Sequence, residues 1–165
     1  MKRKLFLNAK LKGNYNTVDI LVVDGIIKEI ENDLVTKYNK EDNLEIIDLK
    51  GNLTIPPYVE PHIHLDYVYT AHTPGAKNST GTLFEGIQRW SDSKSNLTID
   101  DVKSRAKLAL KKQVLSGIQH IRTHVDVTDP NLTSLKAMLE LKEEMKNMVD
   151  MQIIAFPQEG MYAYK

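Results

Sequence analysis

The sequence contains no cysteine, and this absence excludes two kinds of structure. Disulfide bonds cannot form, and no metal site can use thiolate ligands. Any metal that the chain binds must therefore be held by histidine, carboxylate or water.

The chain also lacks net charge and long apolar runs. Its 22 Lys and Arg balance its 22 Asp and Glu, so no overall positive field attracts nucleic acid or an anionic membrane, and a small neutral substrate is the better partner. No run approaches the ~18 apolar residues of a membrane span, and the apolar stretch Leu5–Leu7 is too short for the core of a signal peptide. With 41% hydrophobic residues the composition is globular, and we expect a cytoplasmic protein.

Residues 1–55 have the pattern of a small β domain. The β-branched run 18–23 and the run 26–30 flank Asp24-Gly25, a dipeptide that favours a tight hairpin turn. Residues 33–43 are polar and indicate a loop with a helical turn. The pattern predicts an antiparallel β module, which we interpret as a β-sandwich segment.

Residues 56–165 alternate strands with longer helical segments, after the break at Pro56-Pro57. The pattern predicts strands at 58–65, 118–127 and 150–157, helices at 82–93, 98–116 and 132–148, and a mobile loop at 66–80. Strands that alternate with helices in this order are typical of a parallel sheet. We therefore predict an α/β fold for this part of the chain.

The first of these strands ends at two histidines, His62 and His64. Residues i and i+2 of a strand point to the same side, about 6.5–7 Å apart along it, so both rings could contact one metal ion. Parallel sheets place their functional sites at the carboxyl ends of the strands, which favours this interpretation. The alternative is that the pattern arises by chance and one ring is only hydrogen bonded.

The second strand carries polar side chains along one face, and four apolar or neutral residues along the other. The polar face comprises His120, Arg122, His124 and Asp126. Burying such groups without partners costs several kcal/mol, so a polar cavity would explain them. Alternatively they pair with one another, as Arg122 with Asp126. We expect His124 and Asp126 to lie beside the metal ligands.

A glutamine, Gln158, follows the third strand. Its amide offers both a donor and an acceptor, which match the edge of an amide-like heterocycle. Its neighbour Glu159 could equally be a solvated loop residue. Phe84, Trp90 and Met138 are most simply core residues.

Four segments together resemble the bacterial cytosine deaminases of the amidohydrolase superfamily. They are Ile55–Asp66 with its Pro-His-Ile-His-Leu-Asp, Gly81–Gly86, Gly117–Val127 with its His-Ile-Arg-Thr-His-Val-Asp, and Ala155–Gly160 with its Phe-Pro-Gln-Glu-Gly. The pair of histidines by itself indicates only the superfamily, whereas four segments in this order are more specific.

This resemblance implies a (β/α)₈ barrel of the TIM type flanked by a β-sandwich. It also implies one divalent metal, iron or zinc, and the hydrolysis of cytosine to uracil and ammonia in pyrimidine salvage. His62 and His64 would be metal ligands, Gln158 would hydrogen bond to the pyrimidine, and Leu83 would line the pocket.

Such a barrel needs at least ~200 residues, more than this chain offers after Pro56. The family's remaining metal ligands and its proton-transfer residues belong to later strands. We therefore expect an incomplete barrel of three strands, residues 56–165, that contains no catalytic residue and is inactive alone. Its partner would be the remaining part of the barrel or, in an oligomer, further copies of the chain.

Two alternatives stay open. The enzyme could act on another cyclic amidine or amide, such as creatinine, a modified cytosine or a hydantoin-like ring, because Gln158 would recognise an edge that these rings share. The chain could also be a non-catalytic metal-binding or interaction module, since a three-stranded parallel sheet leaves an edge open for a partner.

Overall fold

A computed structural model describes residues 2–38 and 43–162. The chain divides into two compact units, Met1–Pro56 and Pro57–Lys165, and the boundary expected from the sequence lies between residues 55 and 56. Residues 39–42 of the predicted loop lie outside the described residues. Within the described ranges, no helix combines the length and apolar character needed to cross a membrane.

In residues 2–38 and 43–56, the first unit is a five-stranded sheet with one short helix. Its elements are β1 (Arg3–Leu11), β2 (Val18–Val23), β3 (Ile26–Glu31), α1 (Leu34–Tyr38), β4 (Leu44–Asp48) and β5 (Leu53–Thr54). The order is β3-β2-β1-β4, and β5 pairs with the far end of β1. Asp24 and Gly25 have φ angles of 49° and 82°, as a tight hairpin turn between β2 and β3 requires.

The prediction that this module is antiparallel was wrong for two strand pairs. β1 pairs antiparallel with β2, and β2 with β3, but β4 and β5 both run parallel to β1. The two-residue turn between β2 and β3 and the short connection from β1 to β2 make these neighbours antiparallel, whereas the longer connection from β3 through α1 lets β4 start at the same end of the sheet as β1. The buried side chains of Leu5, Leu21 and Leu34 fill the space between this sheet and α1.

The second unit contains three parallel strands, as predicted. Its elements are β6 (Tyr58–Ile63), α2 (Leu83–Ser93), α3 (Ile99–Leu115), β7 (Ile118–Asp126), α4 (Thr133–Met145) and β8 (Asp150–Phe156), with 3₁₀ turns at Thr70–His72 and Lys94–Asn96. The sheet order is β6-β7-β8, with all pairs parallel. The observed architecture is thus mixed α/β.

The core of the second unit lies between this sheet and the helices α3 and α4. Thr98 caps α3 by accepting a hydrogen bond from the backbone N–H of Asp101, as the sequence predicted. Met138 is buried in this core, and Trp90 is buried near the carboxyl ends of the strands. Phe84 was wrongly predicted as a core residue, since it is 82% exposed.

Candidate functional site

The carboxyl ends of β6, β7 and β8 meet at one edge of the parallel sheet. His62 is the penultimate residue of β6, and His64 follows that strand directly. Asp126 lies at the end of β7 and Gln158 two residues beyond β8. Because the strands run in the same direction, their sequence-distant ends become neighbours. The residues that the sequence singled out are therefore brought to one place, with the exceptions described below.

The imidazoles of His62 and His64 point toward the same position. Their Nε2 atoms are 3.4 Å apart. This is longer than a usual N–H hydrogen bond of ~2.7–3.2 Å. It matches the ~3.3 Å between two ligands on a tetrahedral metal with metal–nitrogen bonds of about 2.0–2.1 Å. The pair therefore has the separation of two ligands on one ion.

Aromatic rings surround both histidines. The ring of His124 stacks on that of His62 with their centroids 4.0 Å apart, and the ring of His64 stacks on Tyr67 at 4.8 Å and meets the edge of Phe156 at 5.2 Å. Burial, and then the neighbouring imidazoles, lower the pKa of His64, and burial lowers the pKa of His124. A lowered pKa favours the neutral imidazole, which is the form that binds a metal.

The two imidazoles offer fewer ligands than a complete site needs. Within residues 2–38 and 43–162, no group of three or more His, Cys, Asp or Glu side chains is arranged to hold a metal ion. The Nδ1 atoms of His64 and His124 are buried and have no hydrogen-bond partner in the described part of the chain. The described residues thus fit two positions of a metal site.

The polar face of β7 is divided between the two ends of the strand. His120 and Arg122 are exposed, and Arg122 donates a hydrogen bond of 2.7 Å to the side chain of Gln152. The pairing of Arg122 with Asp126 that the sequence allowed is not formed. His124 and Asp126 lie instead at the histidine end, next to His62 and Trp90 respectively.

Asp126 is the most extensively hydrogen-bonded side chain of the site. Its Oδ1 accepts from the backbone N–H and the hydroxyl of Thr128, at 2.9 and 2.6 Å, and lies 3.4 Å from the backbone nitrogen of Gln158. Its Oδ2 accepts from the indole of Trp90 at 2.7 Å and lies 2.8 Å from the ammonium of Lys94. Burial acts to raise the pKa of Asp126, but these donors outweigh it and hold the pKa below its ordinary value.

Lys94 also belongs to the site, although no sequence pattern marks it as a functional residue. Its ammonium pairs with both Asp126 and Glu159, and its side chain is only 7% exposed. Burial acts to lower the pKa of Lys94, but the two carboxylates raise it. Glu159 is therefore an ion-pair partner and not the solvated loop residue that the sequence allowed.

The predicted mobile loop at 66–80 begins inside the protein. Leu65 and Asp66 are completely buried, and Asp66 Oδ2 accepts the backbone N–H of Asp126 at 2.9 Å. Burial raises the pKa of Asp66 to about 6. The polar composition of this segment suggested a loop, but the hydrogen bond to Asp126 anchors its start to β7.

A cavity of about 500 Å³ lies between α2 and the segment 67–82. Its lining includes Tyr67, whose ring stacks on His64, but neither His62 nor His64 itself. Leu83, Ile87, Trp90 and Gln158 are among the residues that line it. Leu83 thus faces this cavity although it is 73% exposed. The side-chain amide of Gln158 has no hydrogen-bond partner among the described residues, so its donor and acceptor are available to a ligand.

The sequence profile of the amidohydrolase family matches residues 45–164. Among characterised proteins, the N-isopropylammelide isopropyl amidohydrolase of Pseudomonas sp. (strain ADP) is 33% identical over 159 residues, which are 94% of this chain and 38% of that enzyme.

Solved structures of similar fold include a 5-methylcytosine deaminase from Klebsiella pneumoniae liganded with 5-fluorocytosine. It has a TM-score of 0.85 and 44% identity, over 97% of this chain and 38% of that one. A second structure of the same enzyme is liganded with phosphonocytosine. An N-isopropylammelide isopropylaminohydrolase from Burkholderia multivorans has a TM-score of 0.81 and 27% identity, over 98% of this chain and 39% of that one. The chain therefore spans well under half the length of these relatives.

Proposed function

The chain belongs to the amidohydrolase family, and on this premise we propose that it forms part of an enzyme that hydrolytically deaminates cytosine. Water adds to C4 of the pyrimidine, the C4–N bond breaks, and the products are uracil and ammonia. The observation that carries the proposal is the grouping of the His62/His64 pair with Gln158 at one sheet edge, beside a cavity. A cytosine analogue is the ligand of the solved structure that is 44% identical to this chain.

His62 and His64 would hold a divalent metal, iron or zinc, through their Nε2 atoms. Their separation of 3.4 Å fits two positions on one ion. When bound, such a metal lowers the pKa of its water to about 7 and so supplies a nucleophile at neutral pH. His124, stacked on His62, and Phe156, against His64, would restrict the two imidazoles to the orientation they have here.

Gln158 would recognise the pyrimidine. Its amide donates and accepts at once, which matches the neighbouring ring nitrogen and carbonyl of cytosine. Leu83 would form the apolar wall of the pocket, and burial of the ring against it would exclude water from the side that Gln158 does not contact. His124 and Asp126 would act next to these contacts and not on the substrate itself.

We propose further that the remaining metal ligands and the proton-transfer groups come from a larger (β/α)₈ barrel, of which the second unit supplies three strands. The chain spans 38% of the length of the Klebsiella enzyme that it resembles. On this proposal the 165 residues alone do not turn over cytosine, and a longer product that contains them does.

A second candidate substrate is a cytosine with an apolar substituent at C5. The cavity beside Gln158 has an apolar wall that includes Leu83 and Ile87, and it has room for more than a bare pyrimidine. The 44% identical Klebsiella enzyme is a 5-methylcytosine deaminase. The burial of one methyl group favours the substituted ring by roughly 0.8 kcal/mol, or about fourfold in affinity.

The test measures the release of ammonia from cytosine, 5-methylcytosine and creatinine, and of isopropylamine from N-isopropylammelide, with Fe(II) or Zn(II) supplied. It uses both the 165-residue chain and a longer product that contains it. Turnover of a cytosine by the longer product, lost in His62→Ala, supports the proposal. If only creatinine or N-isopropylammelide is turned over, that compound replaces cytosine as the proposed substrate. If the 165-residue chain is active by itself, the proposed dependence of activity on further strands is wrong.

A further inference from the structure

Five donor groups, from four residues in three separate segments, surround the carboxylate of Asp126. Trp90 belongs to α2, Lys94 to the 3₁₀ turn after it, and Thr128 and Gln158 to the segments that follow β7 and β8. Asp126 is 1% exposed, so water does not take the place of these partners. The carboxylate therefore joins α2 to the carboxyl ends of two strands.

The partners of Asp126 require a carboxylate and not merely a polar group of its shape. Oδ2 faces the indole N–H of Trp90 and the ammonium of Lys94, and Oδ1 faces the backbone N–H and hydroxyl of Thr128. All of these groups donate. An asparagine would place its NH₂ against donors whichever way the amide is turned, since only one of its two terminal atoms accepts.

Each N–H donor of the Lys94 ammonium also has an acceptor. Its ammonium has three N–H groups, and its three partners are Oδ2 of Asp126, a carboxylate oxygen of Glu159 and the hydroxyl of Thr128. Because the ammonium only donates, the Thr128 oxygen must accept from it, which leaves the Thr128 hydrogen for Asp126. Glu159 thereby ties the segment after β8 to the same cation.

Two of the groups held in this way border the cavity. Trp90 and Gln158 both line it, and Asp126 contacts the indole nitrogen of one and the backbone nitrogen of the other. Glu159 is the next residue after Gln158, so its ion pair with Lys94 fixes the same backbone from the other side. The network of Asp126, Lys94 and Glu159 thus holds the backbone of Gln158, and through it the position of the Gln158 side chain.

We propose that Asp126 is a positioning residue of the pyrimidine pocket: it orients Trp90 and the Gln158 backbone, and Lys94 and Glu159 hold it in place. This inference rests on the proposed function, because Gln158 is the group that would contact the pyrimidine. Among the described residues, no hydrogen bond joins Asp126 to His62 or His64. Replacing Asp126 should therefore change the affinity for substrate and not the metal content.

The first arm of the test needs no substrate. Trp90 is the only tryptophan, so its indole N–H gives a single NMR resonance and its fluorescence a single emission. In the 165-residue chain, Asp126→Asn moves the indole resonance upfield, as expected when an N–H loses a charged acceptor, and Lys94→Met moves it less. Asp150→Asn, on a side chain that is 80% exposed at the opposite end of the sheet, leaves it unchanged. An unmoved resonance in Asp126→Asn overturns the proposal.

The second arm uses the longer, active product. Asp126→Asn raises KM for cytosine by about 10- to 100-fold, the effect of losing a charge-assisted hydrogen bond or of a small misplacement of a binding group. It lowers kcat by less than about threefold and leaves bound metal unchanged, and Asp150→Asn behaves as the wild type. Glu159→Gln gives an intermediate KM, since its amide oxygen still accepts from Lys94.

The outcomes separate this inference from the proposed function. If the wild type turns over no pyrimidine, the proposed function fails and the role of Asp126 in it fails as well. If the wild type is active and Asp126→Asn keeps the wild-type KM, or loses metal and kcat together, only the positioning role is overturned. Should Asp126→Asn not fold, Trp90→Phe keeps a six-membered aromatic ring and removes the pyrrole ring with its N–H, and a raised KM with normal metal content is then the expected result.

Discussion

The backbone N–H of Leu65 donates a hydrogen bond of 3.1 Å to the hydroxyl oxygen of Thr123, and both residues are completely buried. Thr123 lies on the face of β7 that packs against the helices, opposite His124. Leu65 follows His64 directly. This bond therefore fixes the path of the chain as it leaves β6, and with it the position of the second histidine.

Replacing Thr123 by valine should destabilise the second unit. Valine keeps the shape but removes the acceptor, and a buried N–H without a partner costs about 1–3 kcal/mol. Thr123→Ser keeps the acceptor and should cost about 1 kcal/mol, the loss of one methyl group. Urea unfolding followed by Trp90 fluorescence measures both, and a Thr123→Val protein as stable as the wild type would contradict the assignment.

Removing either histidine of the pair should reduce bound metal. We expect His62→Ala and His64→Ala each to lower the Zn(II) retained after dialysis by at least about tenfold. The matched control is His120→Ala, because His120 lies near the start of β7 and faces Asp150 at 3.5 Å. Elemental analysis gives the metal content, and an equal loss in the control would show that Zn(II) binds elsewhere.

A core substitution in α3 should separate buried from exposed leucines of the same helix. Leu110 is completely buried, and Leu110→Ala should destabilise the second unit by about 2–5 kcal/mol through lost burial and a cavity. Leu108 is 49% exposed, and Leu108→Ala should stay within about 0.5 kcal/mol. Denaturation midpoints from Trp90 fluorescence compare the two, and similar losses would mean that α3 packs through another face.

The carboxylate of Glu85 should titrate well below its ordinary value. The hydroxyl and backbone N–H of Thr80 donate to it at 2.5 and 2.6 Å, and they lower its pKa from 4.5 to about 2. The contact therefore stabilises the loop before α2 fully above pH 4.5 and is lost as the pH falls toward 2. Thr80→Val should raise the pKa of Glu85 more than Arg89→Gln does. An NMR titration of the Glu85 carboxyl carbon measures the pKa, and a value near 4.5 in the wild type would refute the predicted lowering.

Asp19 should be a stabilising residue of the first unit. Its side chain is 7% exposed and accepts the backbone N–H groups of Asn8 at 3.1 Å and Leu34 at 3.0 Å. Asp19→Asn puts an NH₂ group against one of these donors and should cost about 1–3 kcal/mol. Asp24→Asn, at an exposed contact, is the control. Hydrogen exchange of the β1 and β2 amides reports the loss, and equal protection in both variants would exclude this role.

Much of the second unit could be predicted because its signals are local. The cap at Thr98 and the alternation of apolar residues along β7 each depend on a few neighbouring residues, and both predictions were confirmed. The parallel pairing in the first unit could not be predicted in this way. It depends on how the chain returns after α1, which no short-range pattern encodes.

The same distinction applies to the candidate site. His62, His64 and Gln158 stood out because their residue types and strand-end positions are chemically informative. Lys94 did not, because a lysine in a polar segment usually lies in solvent. Its role arises from Asp126 and Glu159, which are 32 and 65 residues away in the sequence and reach it only when α2 packs over the sheet end.

The sequence by itself determined the elements of the second unit, the exclusion of thiolate chemistry and the pair of imidazoles, since these depend on composition and spacing along one strand. Only the tertiary structure decided which charges are buried together, that Arg122 is turned away from Asp126, and that Phe84 is exposed while Trp90 is held inside. The reason is physical: a buried carboxylate needs hydrogen-bond donors on several sides, and the residues of its own strand cannot supply all of them.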